Sequence, residues 1–154
     1  MTAPSASSSI TVAATSAAVY GLITDLDTLT ELAAETTQMR WRSGTPASPG
    51  AVFSGSNRNG RRRWTTTCTV TDAEPGERFA FEVTHSVVKI SRWQYDIEEL
   101  DAGCRVTEST WDRRPGWFKL PAELATGVRN RAAVNAEHIG QTLRRLKARA
   151  ESGP

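Results

Sequence analysis

Few side chains in this 154-residue sequence are of types that do chemistry, and their spacing decides most cases. His85 and His138 are the only histidines, far apart and without an HExxH pattern or a carboxylate cluster, so no metal site is expected. Cys68 and Cys104 stand outside CxxC spacing and read as two buried thiols in a reducing cytoplasm. No Ser/His/Asp order, GxGxxG or GxxxxGK is present. Glu108 and Tyr95 remain. A carboxyl turned into an apolar interior has its pKa raised by desolvation unless a cation or several donors compensate. Titration near neutrality is what general acid/base work uses. The plain alternatives are a parity slip at a bulge that leaves Glu108 in solvent, or its pairing with an arginine.

The elements that must position these residues follow from periodicity. "SITVAAT" alternates Ile10 and Val12 with small or polar residues, as a half-buried strand does. "SAAVYGLITD", with Ser16 as N-cap, and "DTLTELAAE" read as two short helices. From Thr37 the period returns to two, and six strands fit: Gln38 to Ser43, Ala51 to Asn57, Arg62 to Thr71, Arg78 to His85, Lys89 to Leu100, and Cys104 to Trp111. "TPASPG", "RNGR", "EPGE" and "DAGC" supply turn residues between them. "DRRPGWFKLPAELATG" reads as an irregular connection with one helical turn. Thr126 to Ala150 then reads as a single long helix with Val128, Ala132, Asn135, Ile139, Leu143 and Leu146 on one stripe.

The segment "NRNGRRRW" gathers four arginines around Asn59-Gly60, and both of those residues tolerate the positive φ of a type I′ hairpin turn. The basic cluster therefore reads as a solvated hairpin tip. A net charge of +2 is too small to make nucleic-acid binding a default expectation, and no stacking aromatic ladder supports it. The sequence has no apolar run long enough to span a membrane and no signal-peptide pattern at "MTAPSASSSI", so the expected location is cytoplasmic. Residues 1–8 and 151–154 read as tails around a single domain at 9–150. Monomer and homodimer remain open.

The element order, together with "GAVFSGSNRNGRRRW", "AEPGERFAFEV", "SRWQYDIEEL" and "GCRVTES", resembles the START-like helix-grip superfamily, within it the polyketide cyclase/dehydrase and lipid-transport (SRPBCC) group. The resemblance covers about residues 8–148. It implies an α+β helix-grip fold, a seven-stranded curved antiparallel sheet around the long C-terminal helix with two short helices after the first strand. It also implies a cavity between sheet and helix for an apolar or aromatic molecule. No catalytic residue of the family carries over.

Strand parity supplies the cavity wall independently of the resemblance. Phe53 and Asn57, then Trp64, Thr66 and Cys68, then Phe81, then Trp93 and Tyr95, and finally Glu108 should face inward, joined by Asn135 from the helix stripe. Val70, Phe79, Ile97 and Val106 should be plain core. Asn57, Thr66, Tyr95, Glu108 and Asn135 need one another, water or a ligand, because a buried polar group without a partner costs about 1–3 kcal/mol. Trp111, Trp117 and Phe118 bracket the Pro-Gly connection and are candidates to close over a ligand, Trp117 among the binding residues. The leading expectation is a carrier or sensor of a hydrophobic or aromatic small molecule, polyketide- or lipid-like, with no cofactor. The alternative is a polyketide cyclase or dehydratase that moves protons through Glu108 and Tyr95.

Overall fold

Strand pairing begins earlier in the chain than the apolar alternation does. The computed structural model describes residues 2–152, and its first strand, β1, is Ala6–Val12. Positions 6–8, expected in a tail, are paired with the last strand, and the Ser5 amide already donates to the Thr110 carbonyl at 2.8 Å. The serine run needs no apolar side chains for this. Backbone bonds suffice, and the Ser7 and Ser9 hydroxyls add cross-strand hydrogen bonds to Ser109 and Thr107 at 2.9 and 2.7 Å. Tail positions 1, 153 and 154 lie outside the described residues.

Helix α1 is Ser16–Thr24, and its N-cap is Thr15 rather than Ser16, with the threonine hydroxyl accepting from the Ala18 amide at 3.1 Å. Val19 and Ile23, one turn apart, are its buried face. Helix α2, Leu26–Leu32, buries Leu26, Leu29 and Leu32 at three-residue spacing. The strands β2 Thr36–Ser43, β3 Val52–Asn59, β4 Arg62–Glu74, β5 Arg78–His85, β6 Val88–Leu100 and β7 Gly103–Asp112 follow. All pair antiparallel in the order β1-β7-β6-β5-β4-β3-β2, one curved seven-stranded sheet whose two short helices bridge its edges. The α+β helix-grip architecture is as the sequence implies.

The segment after β7 differs from expectation in two ways. Residues Gly116–Thr126 form an eleven-residue helix, α3, with Pro121 inside it. Proline forfeits one helical hydrogen bond, which is why the segment reads as irregular. The expected single helix from Thr126 is also broken: Gly127, at φ +74°, ends α3 in the left-handed conformation that glycine adopts most easily. Asn130 then caps a new helix, α4, Arg131–Glu151, by accepting from the Ala133 amide at 3.2 Å.

Helix α4 lies over the concave face of the sheet and divides that space. Its middle and C-terminal turns, through Ile139, Leu143 and Leu146, seal a core with Val12, Val19, Ile23, Val70, Phe79 and Val106, each at most 2% exposed. Burying each such side chain contributes about 1.5–3 kcal/mol. Its cations reach other elements. Arg145 donates to the Leu32 and Ala33 carbonyls, Lys147 to the Thr11 carbonyl, and Arg149 to Glu31. Above this seal, where the N-terminal half of α4 spans the sheet, the interior is open.

Candidate functional site

The open interior is a cavity of about 380 Å³, within the size range of small-molecule sites. The sheet supplies its floor through cross-strand partners that share a face: Asn57 beside Trp64, Gly55 beside Thr66, Phe53 beside Cys68, Phe81 beside Trp93, and Tyr95 beside Glu108. All the inward residues expected from parity line it, and Asn135 joins them from α4. Val70, Phe79, Ile97 and Val106 are buried away from it as packing.

Trp117 does not line it. That ring is 71% exposed, while its neighbour Phe118 faces the cavity. On a helix consecutive residues diverge by roughly 100°, so only one of the two can look inward. Phe118, Pro121, Ala122 and Ala125 form that inner face of α3 and make the helix a roof. Trp111 is not at the mouth either. It lies buried on the opposite face of the sheet, with Arg92 over its ring and its Nε1 donating to the Thr2 carbonyl.

The hairpin tip holds this roof. Its two-residue loop is Gly60-Arg61, since Asn59 pairs with Arg62, and Gly60 has φ +61°. Glycine at the first loop position with only that residue at positive φ makes a type II′ turn rather than the expected type I′. Asn59 Nδ2 donates to the Thr126 carbonyl at 2.8 Å and Arg62 Nε to the Leu124 carbonyl at 3.2 Å. These are last-turn carbonyls of α3, so part of the tip read as solvated is a cap for the roof helix.

Among the polar residues of the wall, Asn57 and Thr66 satisfy one another in a chain. Thr36 Oγ1 donates to Asn57 Oδ1 at 3.0 Å, and Asn57 Nδ2 to Thr66 Oγ1 at 3.3 Å. Tyr95 and Glu108 form a second pair, the hydroxyl donating to Glu108 Oε2 at 2.8 Å. No bulge slips the β6–β7 register, and Glu108 is 2% exposed with Oε1 unpartnered. Burial pushes its carboxyl up to about 8, against the Tyr95 hydrogen bond, which pulls it down. The same burial, with the adjacent carboxyl, holds the Tyr95 phenol well above its ordinary value. Burial pushes the Cys68 thiol up to about 12, so it is an inert wall group.

Sequence reasoning missed a third polar group at the α4 side. Glu35, just ahead of β2, accepts from Arg131 Nη1 at 2.6 Å, and its Oε1 stands 3.8 Å from His138 Nδ1. All three line the cavity, and Arg131 also lies over the Trp64 ring. No local motif signals residues so far apart in sequence. His85 lies on the wall too, with Nδ1 2.9 Å from the Thr65 carbonyl oxygen. Ile90 reaches the wall because a bulge interrupts the β5–β6 register after Val83, which strand parity could not anticipate. Among the described residues no cluster of three or more His, Cys, Asp or Glu could hold a metal ion, and no helix is long and apolar enough to cross a membrane.

A family model described as polyketide cyclase/dehydrase and lipid transport matches residues 3–151. Among curated proteins none matches the sequence. A similar solved structure is the Polyketide_cyc-like protein Cgl2372 from Corynebacterium glutamicum, at 25% identity and TM-score 0.64 over 98% of this chain and 94% of that one. The di-domain ARO/CYC StfQ from the steffimycin biosynthetic pathway matches at 15% identity and TM-score 0.71, over 95% of this chain but only 50% of its own length. Ara h 8.0201 matches at 12% identity and TM-score 0.68, over 96% of this chain and 97% of that one. The last two likenesses establish the fold alone.

Proposed function

The chain belongs to the polyketide cyclase/dehydrase and lipid-transport family, and from that premise we propose that it binds a hydrophobic or aromatic small molecule, polyketide- or lipid-like, as a carrier or sensor. One observation carries the reading. The cavity between sheet and α4 exposes chiefly apolar and aromatic surface, and most of the polar side chains on its wall are already hydrogen-bonded to other groups of the protein. Such a site gains affinity from burial of an apolar body and takes orientation from a few fixed polar atoms.

The direct test is native mass spectrometry and solvent extraction of the purified protein, followed by displacement of a bound fluorescent apolar probe with aromatic and acyl compounds. A retained or displacing hydrophobe is the expected result. A folded protein that carries nothing and takes up no probe would overturn the reading.

The Tyr95 and Glu108 pair favours a second reading, catalysis of a cyclisation or dehydration. A buried carboxyl titrating at about 8 can hold a proton at neutral pH and exchange it with a substrate. On this reading Glu108→Gln abolishes turnover of an identified substrate while leaving its binding intact. On the carrier reading no turnover is found and Glu108→Gln retains most affinity.

A further inference from the structure

Among the described residues, two carboxyls on the cavity wall keep a buried oxygen without a partner, Glu35 at Oε2 and Glu108 at Oε1, and of the two only Glu108 is fully buried. Glu108 Oε2 is occupied by the Tyr95 hydroxyl, which donates to it, while Oε1 has no partner. When a neutral carboxyl accepts through one oxygen, its proton belongs on the other. With the Tyr95 hydroxyl as the donor to Oε2, the proton of a neutral Glu108 is left for Oε1.

Resting on the binding reading above, we infer that the Glu108 carboxyl is the hydrogen-bond donor at the buried floor of the cavity and selects apolar ligands whose buried end presents a neutral carbonyl-type acceptor, such as a ketone, enone, quinone or ester. A ligand hydrocarbon at this point leaves the buried O–H unpaired, and a ligand carboxylate brings a second acidic group to it. A ligand hydroxyl would have to donate to an oxygen that already carries a proton, or turn round and accept. Selection thus follows from an unpaired polar atom in the hydrocarbon and hydroxyl cases, and from burying a charge in the carboxylate case.

Ionisation of Glu108 reverses the preference, because a carboxylate on Oε1 can only accept. Burial holds the proton on at neutral pH. The other titratable or charged groups on the wall are Cys68, His85, Tyr95, Asp112 and Arg114 on the sheet side, Glu35 ahead of β2, and Arg131 and His138 on α4. Arg131 is engaged by Glu35, and Arg114 by Asp112. A pH effect that belongs to Glu108 is separated from any of these by replacing Glu108 alone. Glu108→Gln suits this purpose: its amide oxygen can accept from Tyr95 while the amide N–H takes the place of the Oε1 proton and does not titrate.

The experiment uses matched naphthalene probes, 2-acetylnaphthalene as the ketone, 2-isopropylnaphthalene as its hydrocarbon counterpart and 2-naphthol as a donor. Affinities are measured by calorimetry and probe fluorescence at pH 6 and at pH 9.5. The wild-type protein is expected to bind the ketone about tenfold more tightly than the hydrocarbon at pH 6, the equivalent of one hydrogen bond, and to lose that preference at pH 9.5. Glu108→Gln should keep the preference at both pH values. The carbonyl stretch of isotopically labelled ketone should shift to lower frequency on binding at pH 6, a signature that a merely structural role for Glu108 would not give. Equal binding of ketone and hydrocarbon at pH 6, or a preference for naphthol, would overturn the inference while leaving the cavity reading standing. If no probe binds to protein shown to be folded, and extraction finds nothing, the cavity reading falls and takes the inference with it.

Discussion

Glu108 stores a measurable pH dependence of stability. Its carboxyl lies near 4.5 when solvated and at about 8 in the fold, because burial penalises the charged form. Between those values the folded protein holds a proton that the unfolded chain has released. Stability from this group is therefore complete below about pH 4.5, falls as pH rises, and is lost once pH passes about 8. The loss should be on the order of a few kcal/mol, since each pH unit between the two values is worth roughly 1.4 kcal/mol. Thermal unfolding between pH 5 and pH 9 should show a steeper decline for the wild type than for Glu108→Gln, and parallel profiles would mean the group is already ionised in the fold. Tyr95→Phe removes the one hydrogen bond that favours the charged form, so it should displace the decline to higher pH.

At the scale of elements, the roof helix α3 depends on the β3–β4 hairpin. Arg61 occupies the loop itself and has no such contact to make, so Arg61→Ser should change stability by less than about 0.5 kcal/mol. Asn59→Ala and Arg62→Ser each remove a donor from the last turn of α3. Each should cost roughly 1 kcal/mol, read as faster amide hydrogen exchange confined to residues 116–126. Uniformly faster exchange across the sheet would show that the hairpin contact is global rather than local. The two faces of α3 separate likewise: Phe118→Ala should weaken binding of an apolar probe, and Trp117→Ala, on the exposed face, should leave it unchanged.

The whole molecule divides a sealed core from an open cavity along one helix, and ligand should act on the balance between them. A molecule that binds only the folded state at a hundred times its dissociation constant adds about 2.7 kcal/mol of stability. Its occupancy should also change the emission of Trp64 and Trp93, both on the wall. Concentration-dependent rises in melting temperature should therefore track the fluorescence titration. Below the cavity, Ile139→Ala removes a fully buried side chain from the seal and should cost about 2–5 kcal/mol, measured by denaturant unfolding.

Strand parity made much of the sheet's share of the cavity wall readable in the sequence, because alternation along a half-buried strand fixes which side chains share a face. Phe53, Trp64, Cys68, Trp93 and Glu108 fall on the wall for that local reason. The α4 stripe through Asn135, Ile139, Leu143 and Leu146 was legible in the same way, from helical period alone. What the sequence could not express is contact between segments distant in the chain. Packing alone decides that Glu35 meets Arg131 and His138, and that Asn59 and Arg62 end a helix more than sixty residues later. The bulge that admits Ile90 and the proline inside α3 likewise break the local rule their neighbours obey. The raised carboxyl of Glu108 belongs to both levels: period two turns it inward, and only the tertiary burial around it keeps water away and its proton on.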